Sequence, residues 1–229
     1  RALARPRTIA MVWGSASAVT KRAVENTPPY LFAFLRNLVA SASLVIFYLV
    51  QGRRQIQQPP LMRMIWMGLT GVTFFYLFFN LALYYTTAAS GALIQGFIPI
   101  SIILLAMIFL KERLNGWQPM GILLSVCGVV LIGFIDADGE ARNVLLGNVL
   151  MIFAVLCWGA YTILSKSMQQ YDAVYLTMIT TCIGTAGLLS GVVVELVNRE
   201  SIPSITFGNW MAILYLGLFS SAICYVLYN

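Results

Sequence analysis

The sequence predicts an all-α, polytopic membrane protein, and three observations lead to this fold class. First, 60% of the 229 residues are hydrophobic and only 10% are charged, whereas ordinary globular chains carry about 25% charged residues. Second, charges, glycines and prolines divide the chain into apolar runs of about 20 residues, the length that crosses a bilayer core. Third, the runs are continuous rather than alternating, which favours helices over strands. This composition excludes a soluble enzyme.

Eight apolar spans follow one another along the chain. They are predicted near residues 8–24, 29–50, 62–84, 88–109, 116–135, 145–165, 175–197 and 210–229. The breaks between them contain residues that interrupt apolar helices: Pro28-Pro29, the polar stretch 51–60, Lys111-Glu112-Arg113, the acidic linker 136–144, and the stretch 199–203. Every linker is too short for a soluble domain, so the spans form one membrane-embedded body.

The distribution of basic residues predicts the orientation of the spans. With a cytoplasmic N-terminus, nine Lys and Arg residues lie on the inner side and four on the outer side. This asymmetry satisfies the positive-inside rule and predicts a cytoplasmic N-terminus. We expect a multi-pass protein of the cytoplasmic (inner or plasma) membrane. A cleavable signal peptide ending near Ala16-Ser17-Ala18 is the alternative for the start, but its apolar core has only about eight residues, the lower limit for such a segment.

An internal repeat is visible at nearly one offset. Trp13-Gly14 with Lys21 recurs as Trp158-Gly159 with Lys166, and Gly68, Tyr76 and Asn80 recur as Gly217, Tyr225 and Asn229. The offsets are 145 and 149 residues. The first unit, residues 1–135, holds five spans, so a second unit starting after the 136–144 linker begins on the opposite side of the membrane. We therefore predict an inverted repeat of two five-helix units. Residues 145–229 supply three of the five helices of the second unit, and we expect ten helices in all.

Several short motifs resemble one family. They are Trp13-Gly14 with a lysine eight residues after the tryptophan, Leu35-Arg36-Asn37, Ala88-Ala89 with Pro99, and Leu110-Lys111-Glu112-Arg113-Leu114. Together they are similar to the EamA-like branch of the drug/metabolite transporter superfamily, although Lys111 stands where that family commonly has a small residue. The resemblance implies ten helices in two inverted repeats, cytoplasmic termini, and carriage of small metabolites, often the export of amino acids.

Polar residues inside the apolar spans are the candidates for a substrate cavity. Trp13, Ser17 and Lys21 share one helical stripe, which Trp158, Thr162 and Lys166 repeat. The complete predicted set is Trp13, Ser17, Lys21, Arg36, Tyr76, Asn80, Gln95, Trp158, Thr162, Tyr225 and Asn229. Three other interpretations stay open: interfacial tryptophans with snorkelling lysines, amides that bond between helices, and an Arg36 ion pair with Glu25 or Glu195.

Three small or rigid residues are candidate hinges. Gly14 and Gly159 follow the repeated tryptophans, and Pro99 lies in the middle of the fourth span. Pro99 either acts as a hinge or fixes a permanent kink.

The sequence predicts no metal site, no cofactor and no catalytic residues. The chain has no histidine, and its four cysteines lie in apolar runs without CxxC spacing.

The predicted function is therefore secondary transport of a small metabolite by alternating access around a central cavity, and amino-acid export is the specific prediction. A sugar-phosphate, nucleotide-sugar or drug carrier of the same superfamily is the alternative. A membrane-embedded transferase is a further alternative, but the spans lack the base, nucleophile or metal cluster that it needs. The expected partners are a small-molecule substrate and the bilayer, without nucleic acid, and a homodimer stays open.

Overall fold

The described part of the chain is helical and contains no strand. The computed structural model describes residues 4–51, 58–111, 116–117, 119–124, 127–128, 142–197 and 205–224. Its helices are α1 (Ala4–Asn26), α2 (Pro29–Val50), α3 (Leu61–Tyr85), α4 (Ala88–Gln95), α5 (Ile98–Phe109), α6 (Val144–Lys166), α7 (Ala173–Val197) and α8, which runs through Phe207–Tyr215 and Leu216–Ile223. Residues 119–124 and 127–128 of the predicted fifth span are also helical. The all-α fold class is confirmed.

Local sequence signals determine where several helices begin. Pro29 occupies the first turn of α2, where its missing N–H costs nothing. The side chains of Thr87 and Asn143 accept hydrogen bonds from the backbone N–H of Ser90 and Leu146, so each caps the helix that follows it. These caps place the starts of α4 and α6 within one residue of the predicted spans.

The predicted fourth span is broken into two helices. α4 and α5 meet at an angle of 41°. The turn between them is closed by hydrogen bonds from Gly96 N–H to the Leu93 oxygen (3.0 Å) and from Phe97 N–H to the Ile94 oxygen (2.9 Å). Pro99 lies after this turn, in the first turn of α5. The bend therefore lies N-terminal to the proline, at Gly96 and Phe97.

Two π-helical segments interrupt the α-helical geometry, and the sequence analysis did not predict them. One is Leu69–Phe74 within α3, and the other is Leu216–Ile223 in α8. The sequence offset of 149 residues carries the first segment into the second. π-Helical turns in α-helices are rare and occur frequently at functional sites.

The helices pack around a core of large apolar side chains. α2 lies against α7 and α8, and α3 lies against α6 and α7. Phe32, Met151, Tyr161 and Leu188 are completely buried in this core. By length and apolar composition, α2, α3, α6 and α7 can each cross a membrane, and α4 with α5 can form one further, broken span.

Candidate functional site

A small cavity lies among the helices and is lined by several of the predicted site residues. Its volume is about 50 Å³, and Arg36, Tyr76, Gln95 and Trp158 lie in its wall. Apolar side chains complete the described lining together with one serine: Ala16, Phe75, Phe79, Ile98 and Ser220. The structure thus brings four residues from four different helices to one place. A volume of this size holds a few water molecules.

Arg36 is the cation of this cavity, and its side chain is 1% exposed. Its Nη1 donates to Thr20 Oγ1 on α1 at 3.4 Å, and its Nη2 donates to Ser221 Oγ on α8 at 3.2 Å. The guanidinium carbon also lies 4.5 Å from the centre of the Tyr76 ring, a cation–π distance. Arg36 therefore links helix α2 to α1, α3 and α8.

The two acidic residues expected to pair with Arg36 make other contacts. Glu195 on α7 accepts hydrogen bonds from the backbone N–H groups of Tyr30 (3.1 Å) and Leu31 (2.9 Å). These donors belong to the first turn of α2, so Glu195 caps that helix from another one. Glu25 lies 3.9 Å from Lys21 Nζ, one turn along α1.

Two further hydrogen bonds connect predicted residues to their neighbours. Gln95 Nε2 donates to the buried Ser17 hydroxyl at 2.9 Å, which ties α4 to α1. The Tyr76 hydroxyl lies 3.0 Å from Ser221 Oγ. Ser17 and Tyr76 are thus buried polar residues with partners on other helices.

Trp158 packs inside the protein rather than at a membrane interface. It is 4% exposed, and its ring centre lies 5.0 Å from that of Phe75 and 5.3 Å from that of Tyr161. The interfacial interpretation of this tryptophan is therefore wrong. Thr162, one turn further along α6, donates to the Trp158 carbonyl at 2.9 Å.

Asn80 has the least satisfied side chain among the predicted residues that the structure describes. It is completely buried, and neither amide atom has a hydrogen-bond partner among the residues that the structure describes. It lies one helical turn after Tyr76 on α3. A buried unsatisfied amide is costly in a folded protein.

Four residues predicted to line the cavity are not among its described lining residues: Ser17, Lys21, Asn80 and Thr162. Lys21 is partly buried and pairs with Glu25. Gly159 allows α6 to approach α5, since a Cβ there would come within 2.7 Å of Ser101 Oγ. Trp13 and Gly14 lie within α1, but the structure does not describe the surroundings of their side chains. Tyr225 and Asn229 lie outside the described residues.

Sequence reasoning missed three polar residues at this site. They are Thr20, Ser220 and Ser221, all at most 3% exposed. A pair of adjacent serines inside the apolar eighth span was the available signal. Small hydroxyl residues are common between packed membrane helices, so this pair does not stand out in the sequence.

The family comparison rests on nearly the whole chain. The sequence model of the EamA-like transporter family matches residues 8–134 and again residues 145–229. The chain belongs to the EamA-like transporter family. The cavity takes Arg36, Tyr76 and Gln95 from the first matched segment and Trp158 and Ser220 from the second.

Relatives of this EamA-like chain are named as transporters. It is 27% identical over 221 residues to the uncharacterized transporter YetK of Bacillus subtilis (strain 168), covering 94% of this chain and 66% of that protein. It is 30% identical over 227 residues to an uncharacterized transporter of Archaeoglobus fulgidus, covering 95% and 75%. The chain therefore spans about two thirds to three quarters of these relatives.

A solved crystal structure shares the fold of this EamA-like chain. The TM-score is 0.68 at 21% sequence identity, over 98% of this chain and 76% of the other chain. At this identity the comparison establishes the fold alone.

Proposed function

We propose that this protein is a secondary transporter that exports an amino acid or a related small carboxylate by alternating access around the cavity. The observation that carries the proposal is the buried guanidinium of Arg36 in a cavity that is partly lined by aromatic rings and formed by both family-matched segments. Membership of a transporter family supports transport as the activity. The substrate class is inferred from the chemistry of the lining.

The lining combines groups that suit an amino acid with an apolar side chain. A guanidinium can bind a carboxylate through two parallel N–H···O bonds. The rings of Phe75, Phe79 and Trp158 offer an apolar surface for the side chain. Gln95 adds an amide that can accept a hydrogen bond from an ammonium group. Among the described lining residues Arg36 is the one cation, which favours a single carboxylate over a phosphate ester.

Loading a substrate requires the surrounding helices to separate. The cavity of about 50 Å³ is much smaller than the roughly 300–1,000 Å³ of typical ligand pockets. Rocking of one family-matched segment against the other would enlarge it on one side at a time, which is the motion of carriers built from repeats. The broken helix α4–α5 fits this proposal, because discontinuous helices form the binding sites of many such carriers.

We also propose that the protein lies in the plasma membrane with its N-terminus in the cytoplasm. The support is the excess of basic residues in the segments assigned to the inner side. Single-cysteine labelling in a cysteine-free background tests it. An impermeant reagent applied outside should label position 138 and spare position 112, and the opposite pattern would reverse the orientation.

Counterflow in proteoliposomes tests the transport proposal. Vesicles containing the purified protein and loaded with unlabelled L-leucine should accumulate labelled L-leucine from outside, and vesicles without protein should not. A panel of apolar, acidic and basic amino acids with their amides then defines the substrate. Transport of the amides at the same rate as the acids would contradict the assigned role of Arg36.

A further inference from the structure

Ser221, Arg36 and Tyr76 form a closed triangle of direct contacts in the wall of the cavity. Ser221 Oγ lies 3.2 Å from Arg36 Nη2 and 3.0 Å from the Tyr76 hydroxyl. The guanidinium of Arg36 lies over the Tyr76 ring at 4.5 Å. All three side chains are at most 3% exposed. Each member therefore limits how the other two can turn.

The chemistry of the three groups gives Ser221 a defined role. A guanidinium only donates hydrogen bonds, so Ser221 Oγ accepts from Arg36. Its hydroxyl can still exchange a second hydrogen bond with Tyr76, as donor or as acceptor, because it has one proton and two lone pairs. One serine oxygen thus fixes both the guanidinium and the phenol.

The π-helical segment of α8 holds Ser221 at this point. Ser221 and its neighbour Ser220 are both buried within Leu216–Ile223. The offset of 149 residues pairs Ser221 with Val72 in the π-helical segment of α3, and the valine side chain has no hydroxyl. The triangle consequently has no equivalent at the corresponding position of the first repeat.

We infer that Ser221 is a positioning residue, which orients the guanidinium of Arg36 and the hydroxyl of Tyr76 to receive the substrate carboxylate. This inference rests on the proposed function for the identity of the ligand. A bidentate carboxylate contact needs the plane of the guanidinium in one orientation. Ser221 belongs to the second family-matched segment, whereas Arg36 and Tyr76 belong to the first. It therefore ties the orientation of the cation to the relative position of the two segments.

The first experiment measures the triangle without any ligand. Melting temperatures of the purified protein are compared for Ser221→Ala, Tyr76→Phe and the double variant. Each single change removes the hydrogen bond between Ser221 and Tyr76. We therefore expect the double variant to melt well above the temperature that the sum of the two single shifts would give. Strictly additive shifts would overturn the inference.

The second experiment measures the KM for L-leucine counterflow. Ser221→Ala should raise the KM about tenfold, the size of one lost hydrogen bond to a charged group, with kcat nearly unchanged. Ser221→Thr retains the hydroxyl and should restore the KM. Any residual counterflow of L-leucinamide should be unaffected, because the amide has no carboxylate for the oriented guanidinium. Equal KM increases for the acid and its amide would overturn the inference.

The control is Ser43→Ala, which removes a serine hydroxyl that donates within α2 to the Val39 carbonyl at 2.7 Å. Its KM should match that of the unchanged protein. The two experiments also separate failure of this inference from failure of the proposed function. Coupled melting temperatures in a protein that moves no amino acid would leave the triangle standing and refute amino-acid transport. Additive shifts in a protein that transports amino acids would refute the triangle and support amino-acid transport.

Discussion

Gly217 packs directly against the backbone of Arg36. A Cβ built on Gly217 would lie 2.7 Å from the Arg36 carbonyl oxygen and 2.9 Å from Val39 Cβ. The same arrangement occurs with the halves exchanged, since a Cβ on Gly68 would lie 2.8 Å from the Thr180 oxygen and 3.0 Å from Ile183 Cβ. Such an exchange of contacts is what twofold pseudo-symmetry generates. It agrees with the predicted repeat, and the inverted orientation of the second unit stays a prediction.

Gly217→Ala should destabilise the protein by about 1–3 kcal/mol, because the added methyl group meets backbone that cannot rotate away. Gly208→Ala is the matched control in the same helix, where a Cβ would meet nothing within 4 Å. That control should be neutral or stabilising by up to about 1 kcal/mol. Thermal unfolding in detergent compares the two. Similar melting temperatures would show that α8 does not approach α2 as closely as the structure has it.

Asn80→Leu should raise stability and lower transport. The completely buried amide has no hydrogen-bond partner among the described residues, so its removal can stabilise by about 1–3 kcal/mol. If the amide serves the substrate, transport falls at the same time, the usual trade-off at a binding site. Asn148→Leu is the contrast, because Thr86 donates to the Asn148 amide oxygen at 2.9 Å. It should destabilise. A lower stability of the Asn80→Leu variant would mean that the amide contributes to packing.

Glu195→Ala should destabilise the protein by about 0.5–2 kcal/mol, the range measured when a helix loses its N-terminal cap. The carboxylate accepts from two N–H groups at the start of α2. Glu25→Ala removes a carboxylate of the same kind from the exposed end of a 3.9 Å ion pair with Lys21, so its effect should be at most about 1 kcal/mol. The melting temperatures of the two variants compare the two losses of stability. A larger loss for Glu25→Ala would contradict the capping role.

Pro99→Ala should leave the bend between α4 and α5 in place. The hydrogen bonds at Gly96 and Phe97 close the turn, and proline in a first helical turn displaces no needed donor. The expected loss is at most about 1 kcal/mol, from greater freedom of the unfolded chain. Stability and counterflow are measured together. A large loss of transport with little change in stability would instead identify Pro99 as a hinge.

Arg36→Lys should reduce transport of carboxylate substrates about 10- to 100-fold, the size of one lost hydrogen bond to a charged group, even though the charge is kept. An ammonium cannot reproduce the planar fork that meets Thr20, Ser221 and the Tyr76 ring. The exposed Arg63 provides the control, since Arg63→Lys changes an arginine that contacts solvent. Counterflow rates are normalised to the amount of folded protein. Full activity of Arg36→Lys would reduce the role of Arg36 to that of a simple positive charge.

The sequence predicted the helices well and their irregularities poorly. The starts of α2 and α6 fell within one residue of the predicted spans, because Pro29 and the Asn143 cap are local signals. The break at Gly96 and the two π-helical segments were not predicted. The backbone geometry of these segments depends on how each helix packs against its neighbours, and the local sequence carries no strong signal of that packing.

The sequence by itself determined that this is a helical membrane protein, and it also predicted a repeated construction. Apolar length and charge placement are properties of the chain alone, and the cost of burying charge and unpaired backbone groups in lipid makes them decisive for the fold class. The recurrence of motifs is the basis of the predicted repeat. The sequence also indicated Arg36, Tyr76, Gln95 and Trp158, because a polar or aromatic residue in an apolar span stands out. Only the tertiary structure decided which of these meet in one cavity and that Ser221 joins them. The partner of a buried polar group is chosen by packing between helices distant in sequence, which no pattern within a single span records.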